Sequence, residues 1–442
     1  MTPILWIFCV IVVIIQFADN ATSSTCADFD DTTHRYNIAL NDWKTLLNEQ
    51  IGNSRSYCDA KPNSRPRVRR DLSKWTDVEF DKLVDAMFVM RNTAMKRGQE
   101  LYGDSFRSYG YLVAKHVIAS TDTRGDQGHY GSHFIMWHKA FILEFENSLL
   151  AIDQSLDAMP YIDYTNPDAL ADAFRPERFG NRVALQGLTG KFENWTLLPM
   201  SSQIWSSVYV PYLNDTSTVS YSGDVVHDLF LSESNSYSSD KLIRYDNTVT
   251  VYDTDTNPEY YIACVSQSSY ENWFRCGDFG LQFPHALHPI VHYFMAGNTH
   301  PTHTSPGLDT AASPTDPTFM FAHANIERNF AMWQSYNTNL RYDNWTYPST
   351  GFACYLPTTK ESKAHYVRKD YYYGIGFEDK ISSAFGFTDR QLGVSAHKNP
   401  DELWTNADVM CYLDLYDGTA PHTYDTYAYR LLPSKHPLDK NR

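Results

Sequence analysis

The chain has 442 residues, of which 15% are aromatic and 20% charged, and its formal net charge at pH 7 is −15. This length is enough for a large hydrophobic core in one or two domains. The acidic balance argues against binding to nucleic acid or to an anionic membrane surface. We therefore expect a globular protein that belongs to neither of these binding classes.

The N-terminus carries an apolar run, ILWIFCVIVVII at residues 4–15, which has the length of a signal peptide. The run lacks a flanking Lys or Arg, and residues 18–24 contain no clean A-x-A site, so an uncleaved anchor is the alternative. We predict a signal peptide over residues 1–21 and a secreted protein. No other stretch of the sequence is predicted to span a membrane.

Helical patterns begin after Asp71. The segment LSKWTDVEFDKLVDAMFVMRNTAMKRG predicts a helix that Ser73 or Thr76 caps and Gly98 ends. A second pattern, YGYLVAKHVIA, surrounds His116. In the third pattern, apolar residues recur at four-residue steps and form a stripe of Trp137, Phe141, Phe145 and Leu149, with His138 at its N-terminal end.

The second half of the chain carries a comparable arrangement. Residues 200–260 are rich in Ser, Tyr, Asp and Thr, and predict an irregular insertion with short strands. His288 and His292 are four residues apart, so on a helix they face the same way. Asp316 and Pro317 predict the start of a further helix, whose inward stripe is Phe319, His323, Ile326 and Phe330.

These patterns produce two clusters of three histidines. The first is His116, His129 and His138, and the second is His288, His292 and His323. Neutral imidazole is the commonest protein ligand for late transition metals, and a cluster without carboxylates favours copper or zinc. Geometry alone leaves open whether His285 belongs to the second cluster, because His285, His288 and His292 share one helical face. We predict a pair of metal ions.

The same segments resemble the tyrosinase family, which includes catechol oxidases and molluscan haemocyanins. The resemblance rests on H-x4-F-x2-WH-x5-EFE from His129 to Glu146, on H-x3-H, on DP-x-F-x3-H-x4-R from Asp316 to Arg328, and on PYIDY at 160–164. It covers roughly residues 66–335. It implies a mainly α fold, in which a four-helix bundle holds two copper ions and is joined by irregular loops and a few short strands. By position, it assigns His116, His129 and His138 to the first copper, assigns His288, His292 and His323 to the second, and packs Phe319 against the pair.

Three features depart from the family pattern. Gln127 stands where many members have a cysteine that forms a thioether to the second histidine. Members that hydroxylate monophenols often hold a water with an Asn and an upstream Glu, but this chain has Pro289, and residues 275–284 offer only Asp278. We interpret Asp278 as a turn residue. The resemblance therefore implies oxidation of o-diphenols and leaves hydroxylation of monophenols in doubt.

The basic cluster SRPRVRR precedes Asp71 and matches an R-x-R-R processing site. In the family, an arginine at this place packs against a C-terminal tyrosine motif and needs no cleavage, which is the interpretation we favour. YAY at 427–429 is the candidate tyrosine motif. The predicted organisation is a polar segment over 22–70, a copper-binding domain over 71–350, and a C-terminal part over 351–442 that packs on the core.

Six cysteines follow the apolar run, and an even count in a secreted chain suggests three disulfides. Six cysteines allow fifteen pairings, among which the sequence cannot choose. Our working choice pairs nearest neighbours, namely Cys26–Cys58, Cys264–Cys276 and Cys354–Cys411. Four glycosylation sequons, at Asn20, Asn194, Asn214 and Asn344, agree with a secretory route.

We therefore predict a secreted type 3 copper phenol oxidase that uses dioxygen to oxidise a small phenolic substrate to an o-quinone. Two alternatives remain, a haemocyanin-like oxygen-binding protein and a non-catalytic scaffold protein. The chain carries all six histidines, which favours the enzyme over the scaffold. No nucleic-acid partner is expected, and no membrane partner after removal of the signal.

Overall fold

The structure is a computed structural model that describes residues 60–61, 63–121, 128–129, 134–180, 188–195, 263–267, 270, 273, 276–277, 288, 291–292, 313–336, 386–415 and 418–427. The architecture of this part is mainly helical, as predicted. Its helices are α1 (Asp77–Asn92), α2 (Met95–Tyr102), α3 (Tyr109–Thr121), α4 (Phe134–Ile152), α5 (Pro167–Ala173), α6 (Phe319–Tyr336), α7 (Asp389–Leu392) and α8 (Asn406–Tyr412). Within these ranges, no helix is both long enough and apolar enough to cross a bilayer.

The first predicted helix divides into α1 and α2. Of the two predicted caps, Ser73 and Thr76, it is Thr76 that caps α1, where it forms a capping box with Glu79. The prediction that Gly98 ends the helix is wrong, because Gly98 lies inside α2, which continues to Tyr102. Gly98 is required for packing instead, since a Cβ atom there would lie 1.9 Å from the Phe106 ring.

Helix α4 forms the centre of the molecule. Its predicted stripe of Trp137, Phe141, Phe145 and Leu149 is buried, and so are most of its other side chains. A helix that is buried on all sides must be covered on all sides. Helices α1, α6, α7 and α8 all pack against α4.

Helix α6 begins at Phe319, slightly later than the Asp316–Pro317 start that the sequence predicts. The Asp316 carboxylate accepts hydrogen bonds from the backbone N–H of Thr318 at 2.9 Å and from its hydroxyl at 2.6 Å. Asp316 therefore caps a turn that precedes the helix. The predicted inward stripe of α6 is buried as expected, namely Phe319, His323, Ile326 and Phe330.

One predicted disulfide, Cys264–Cys276, is confirmed. Between its cysteines, Trp273 donates a hydrogen bond to Asn329 Oδ1 at 3.0 Å, which fastens this segment to α6. Cys411 is also disulfide-bonded. The other predicted partners, Cys26, Cys58 and Cys354, lie outside the described residues, as does the predicted insertion over 200–260.

The two ends of the described chain meet in a short parallel sheet. Strand β1 (Arg67–Arg69) pairs with β2 (His422–Tyr424), and Arg69 is opposite Tyr424 in the register. The Arg69 guanidinium is fully buried and donates a hydrogen bond to the Tyr424 hydroxyl at 3.1 Å. The tyrosine that contacts Arg69 is therefore Tyr424, which precedes the predicted YAY motif. The first tyrosine of that motif, Tyr427, packs against the Tyr424 ring.

Candidate metal centre

The first histidine cluster combines two helices and a bend. His116 lies on α3 and His138 on the first turns of α4, whereas His129 lies in a bend outside any helix. The ring centroids of His116 and His129 are 4.9 Å apart, and those of His129 and His138 are 5.1 Å apart. All three side chains are buried. The structure thus brings the three predicted residues together.

The second cluster has the geometry that the H-x3-H spacing predicts. His288 and His292 are both helical, and their Nε2 atoms are 2.7 Å apart. His323, on α6, places its Nε2 3.4 Å from that of His292. Each cluster offers one ligand atom per histidine, and these atoms lie within 4.8 Å of one another. Among the described residues, these two triads are the groups of His, Cys, Asp or Glu that could hold a metal ion.

The two clusters are in direct contact. The rings of His138 and His323, one from each cluster, stack with their centroids 4.4 Å apart and an angle of 10° between their planes. The rings of His129 and His288 form a second, looser stack at 5.9 Å and 13°. Two pairs of nearly parallel rings therefore join the triads, and ions bound in them would be neighbours.

Two phenylalanines pack against these histidines. The Phe319 ring lies 4.0 Å from His323 and 5.1 Å from His116, so it contacts both clusters, as the resemblance implied. The Phe134 ring also contacts both clusters, at 4.7 Å from His138 and 4.7 Å from His288. We did not predict this role of Phe134. The signal was its position four residues before His138, which places both side chains on one face of α4.

The donor set fits a late transition metal. His138 Nδ1 lies 2.8 Å from the Phe134 carbonyl oxygen, which can only accept, so Nδ1 carries the proton. The lone pair of His138 is therefore on Nε2, a buried atom without a hydrogen-bond partner. A tetrahedral ion about 2.0–2.1 Å from two imidazole nitrogens separates them by about 3.3 Å. The 3.4 Å between the Nε2 atoms of His292 and His323 matches that separation, whereas the 2.7 Å between those of His288 and His292 is shorter, so these two rings would move apart around an ion.

The electrostatics keep His138 and His323, one histidine of each cluster, neutral. Burial, together with the neighbouring His129 and His116, holds the pKa of His138 well below its usual value. Burial and the nearby His138 act in the same way on the pKa of His323. Neutral imidazole is the form that binds a metal. A triad of neutral imidazoles without a carboxylate suits copper.

Comparison with known proteins agrees with this geometry. The common central domain of tyrosinase matches residues 106–336, slightly more than half of the chain. The chain belongs to the tyrosinase family. The match contains all six histidines, so the protein is a tyrosinase-family copper oxidoreductase with both triads of a type 3 dicopper site.

Individual relatives are distant. The chain is 25% identical to a tyrosinase of Streptomyces lincolnensis over 259 residues, which cover 56% of this chain and 83% of the relative. It is 23% identical to a tyrosinase of Gallus gallus over 314 residues, covering 61% of this chain and 54% of that protein. Among solved structures, a polyphenol oxidase variant from Thermothelomyces thermophila matches with a TM-score of 0.50 and 18% identity, covering 92% of this chain and all of that one. This last match supports the fold.

Beneath the histidines, the tyrosinase fold of this chain holds a buried ionic network. Arg69 donates to Glu146 of α4, with Nη2 2.9 Å from Oε2, and to Glu327 of α6, with Nη1 2.6 Å from Oε2. Burial would raise the pKa of Glu327, but His422 and the permanently charged Arg69 lower it to about 2. The pKa of Glu146 is likewise held far below its usual range against the effect of burial, mainly by Arg69 and Arg67. Both carboxylates are therefore ionised and paired.

Four further residues that the sequence analysis singled out lie outside the described part of the chain. They are Gln127, Asp278, His285 and Pro289. The predictions made for them from the sequence therefore stay predictions.

Proposed function

We propose that this tyrosinase-family protein is a phenol oxidase that uses dioxygen to convert o-diphenols into o-quinones, with the six histidines as its copper ligands. The observation that carries the proposal is the stack of His138 on His323, because it makes the two triads direct neighbours. When bound there, two copper ions supply the redox chemistry that passes electrons from a diphenol to dioxygen. Each diphenol loses two protons and two electrons, and two diphenols reduce one dioxygen to two waters.

The protein itself contributes fixed ligand geometry. The Phe134 carbonyl oxygen holds the proton of His138 on Nδ1, so that Nε2 remains available to a metal. The rings of Phe134 and Phe319 cover the triads with apolar surface and exclude water around the ligands. These buried side chains pack against histidines of both triads.

We expect diphenols to be better substrates than monophenols. Proton removal from an incoming phenol needs a base near the metal pair. In this chain Pro289 and the absence of a glutamate from residues 275–284 remove the usual means of holding a basic water. This argument concerns hydroxylation of the phenol ring and leaves the oxidation of o-diphenols unaffected.

Oxygen uptake by the copper-loaded protein tests the function. The substrate is an o-diphenol, offered in parallel with the monophenol that lacks one of its hydroxyls. The His323→Ala variant is the control that measures oxygen uptake independent of the metal centre. We expect prompt oxygen uptake with the diphenol and slow or no uptake with the monophenol. The His323→Ala variant should take up no oxygen with either substrate. Reversible oxygen binding without turnover of any diphenol would instead make the protein an oxygen carrier and would overturn the proposal.

We further propose that the protein is secreted and glycosylated. The Cys264–Cys276 disulfide is typical of oxidising compartments. Asn194 of the sequon N-W-T is exposed in a turn, where a glycan could be attached. Expression in a secreting eukaryotic host should give a protein in the medium whose mass falls on deglycosylation. Asn194→Gln should remove one glycan, and an unchanged mass would contradict this assignment.

A further inference from the structure

A serine hydroxyl connects two histidines of the first cluster. Ser120 lies on the last turn of α3, four residues after His116. Its Oγ donates a hydrogen bond to the backbone carbonyl oxygen of His116 at 2.9 Å. The same Oγ lies 3.4 Å from Nδ1 of His129. The hydroxyl thus stands between the backbone of one histidine and the ring of the next.

The direction of these hydrogen bonds determines where the His129 proton lies. A hydroxyl has one proton to donate, and the His116 carbonyl oxygen can only accept it. With its proton on the shorter of the two contacts, Ser120 faces His129 as an acceptor, and this arrangement places the His129 proton on Nδ1. The lone pair of His129 is then on Nε2, as it is in His138, whose Nδ1 donates to the Phe134 carbonyl oxygen.

His129 needs such support more than the other histidines of its cluster. His116 and His138 are each fixed by a helical backbone, whereas His129 lies in a bend. Gln127 cannot form a covalent link to an imidazole ring, because a carboxamide is not a nucleophilic thiol. A hydrogen bond from a rigid helix to the ring is a non-covalent means of fixing its orientation and tautomer.

We propose that Ser120 is a positioning residue for His129, which holds this ring in the Nδ1-protonated tautomer that binds metal through Nε2. The inference rests on the proposed copper site, and it adds a residue that neither the histidine motif nor the family match assigns. Loss of such a partner typically lowers metal affinity by about 10- to 100-fold.

Copper affinity tests the inference without reference to turnover. The full-length protein is stripped of metal and titrated with Cu(I) against a chromophoric chelator, which gives both stoichiometry and affinity. The variants are Ser120→Ala, Ser120→Thr and Ser335→Ala. Ser335 is a matched control because it is also the penultimate residue of its helix and also donates to the carbonyl oxygen four residues before it, at 2.9 Å.

We expect Ser120→Ala to bind one copper with wild-type affinity and the second about 10- to 100-fold more weakly. Ser120→Thr should restore affinity, because a threonine hydroxyl in a helix can make the same bond to the preceding turn. Ser335→Ala should resemble the wild type. Equal affinities in Ser120→Ala and the wild type would overturn the inference, and so would equal losses in Ser120→Ala and Ser335→Ala.

The outcome separates this inference from the function on which it rests. A wild-type protein that binds fewer than two coppers would contradict the copper site itself, and Ser120 would lose its role with it. A wild type that binds two coppers, together with an unaffected Ser120→Ala, would leave the site intact and refute the positioning role alone. Assignment of the His129 ring nitrogens by ¹⁵N NMR in the Cu(I) protein gives a second readout, in which Nδ1 should be protonated.

Discussion

Arg69 and Glu327 are 258 residues apart in the sequence and form a fully buried ion pair, with Nη1 2.6 Å from Oε2. Glu327 lies one turn after His323 on α6, so the pair connects the N-terminal strand β1 to a helix of the metal centre. Arg69 also holds Glu146 of α4, the helix of His138. One guanidinium therefore fixes the two helices whose histidines stack on each other.

Removal of this guanidinium should destabilise the fold strongly. Arg69→Ala leaves the carboxylates of Glu146 and Glu327 buried without the permanently charged cation that they share, a change that typically costs about 3–5 kcal/mol. Arg67→Ala is the matched control, because Arg67 contacts the same Glu146 at 3.1 Å from a partly exposed position. Its loss should cost at most about 1 kcal/mol. Denaturant unfolding measures both values, and similar losses in the two variants would refute the special role of Arg69.

The R-x-R-R sequence should resist proteolysis in the folded protein. The Arg70 carbonyl oxygen accepts a hydrogen bond from the Tyr161 backbone at 3.1 Å, and Leu72 N donates to the Tyr161 carbonyl oxygen at 2.8 Å. The preceding Arg69 side chain is buried. A protease must pull this segment out of the fold before it can cleave after Arg70. After digestion, N-terminal sequencing should find Asp71 as a new terminus in the denatured protein and in a peptide that spans the site. It should not find this terminus in the native protein, and rapid cleavage of the native protein would contradict the prediction.

The register of the second triad can be tested with variants at two histidines that lie three residues apart in the sequence. His288→Ala removes a residue of the cluster and should lower bound copper by one ion per chain, because two histidines remain in that triad. His285→Ala should leave copper content unchanged. Metal analysis of the purified proteins decides between them, and the opposite pattern would mean that His285 is the ligand.

The C-terminal part should show a pH-dependent contribution from His397. Burial lowers its pKa, but the Asp389 carboxylate at 2.9 Å and the charge of Asp408 outweigh burial and raise it. A raised folded-state pKa means that the stabilisation is fully present below the unfolded value of about 6.5 and disappears as the pH rises through the folded pKa. The melting temperature of His397→Gln should therefore fall furthest below that of the wild type in acid. A difference that grows with pH would contradict this sign.

The sequence was informative wherever a local pattern carried the signal. His138 and His323 lie on helices whose apolar stripes repeat every three or four residues, and both stripes are buried as predicted. The spacing of His288 and His292 needs only helical geometry to be interpreted. Such features depend on residues within two turns of one another, which is the range in which sequence patterns are reliable.

Contacts between distant segments could not be predicted in the same way. Nothing near Ser120 indicates that its hydroxyl meets a ring from a separate bend, because that contact depends on how the chain returns to α3. The sequence predicts a helix stop at Gly98, because the Phe106 ring that packs against this glycine is not recognisable as a partner in the sequence. The resemblance predicted that an arginine of SRPRVRR packs against a C-terminal tyrosine, but the choice of Arg69 and Tyr424 required a three-dimensional register between the two chain ends.

Copper content is the most direct test of the account, whose central claim is that the two histidine triads hold a pair of copper ions. The full-length protein, loaded with copper and freed of excess metal, should contain two coppers per chain. His116→Ala, in the first triad, and His323→Ala, in the second, should each contain about one, provided that circular dichroism shows the native helical content. A wild-type protein with one copper or none, or a loss of both ions from a correctly folded single variant, would contradict two neighbouring sites with three histidines each.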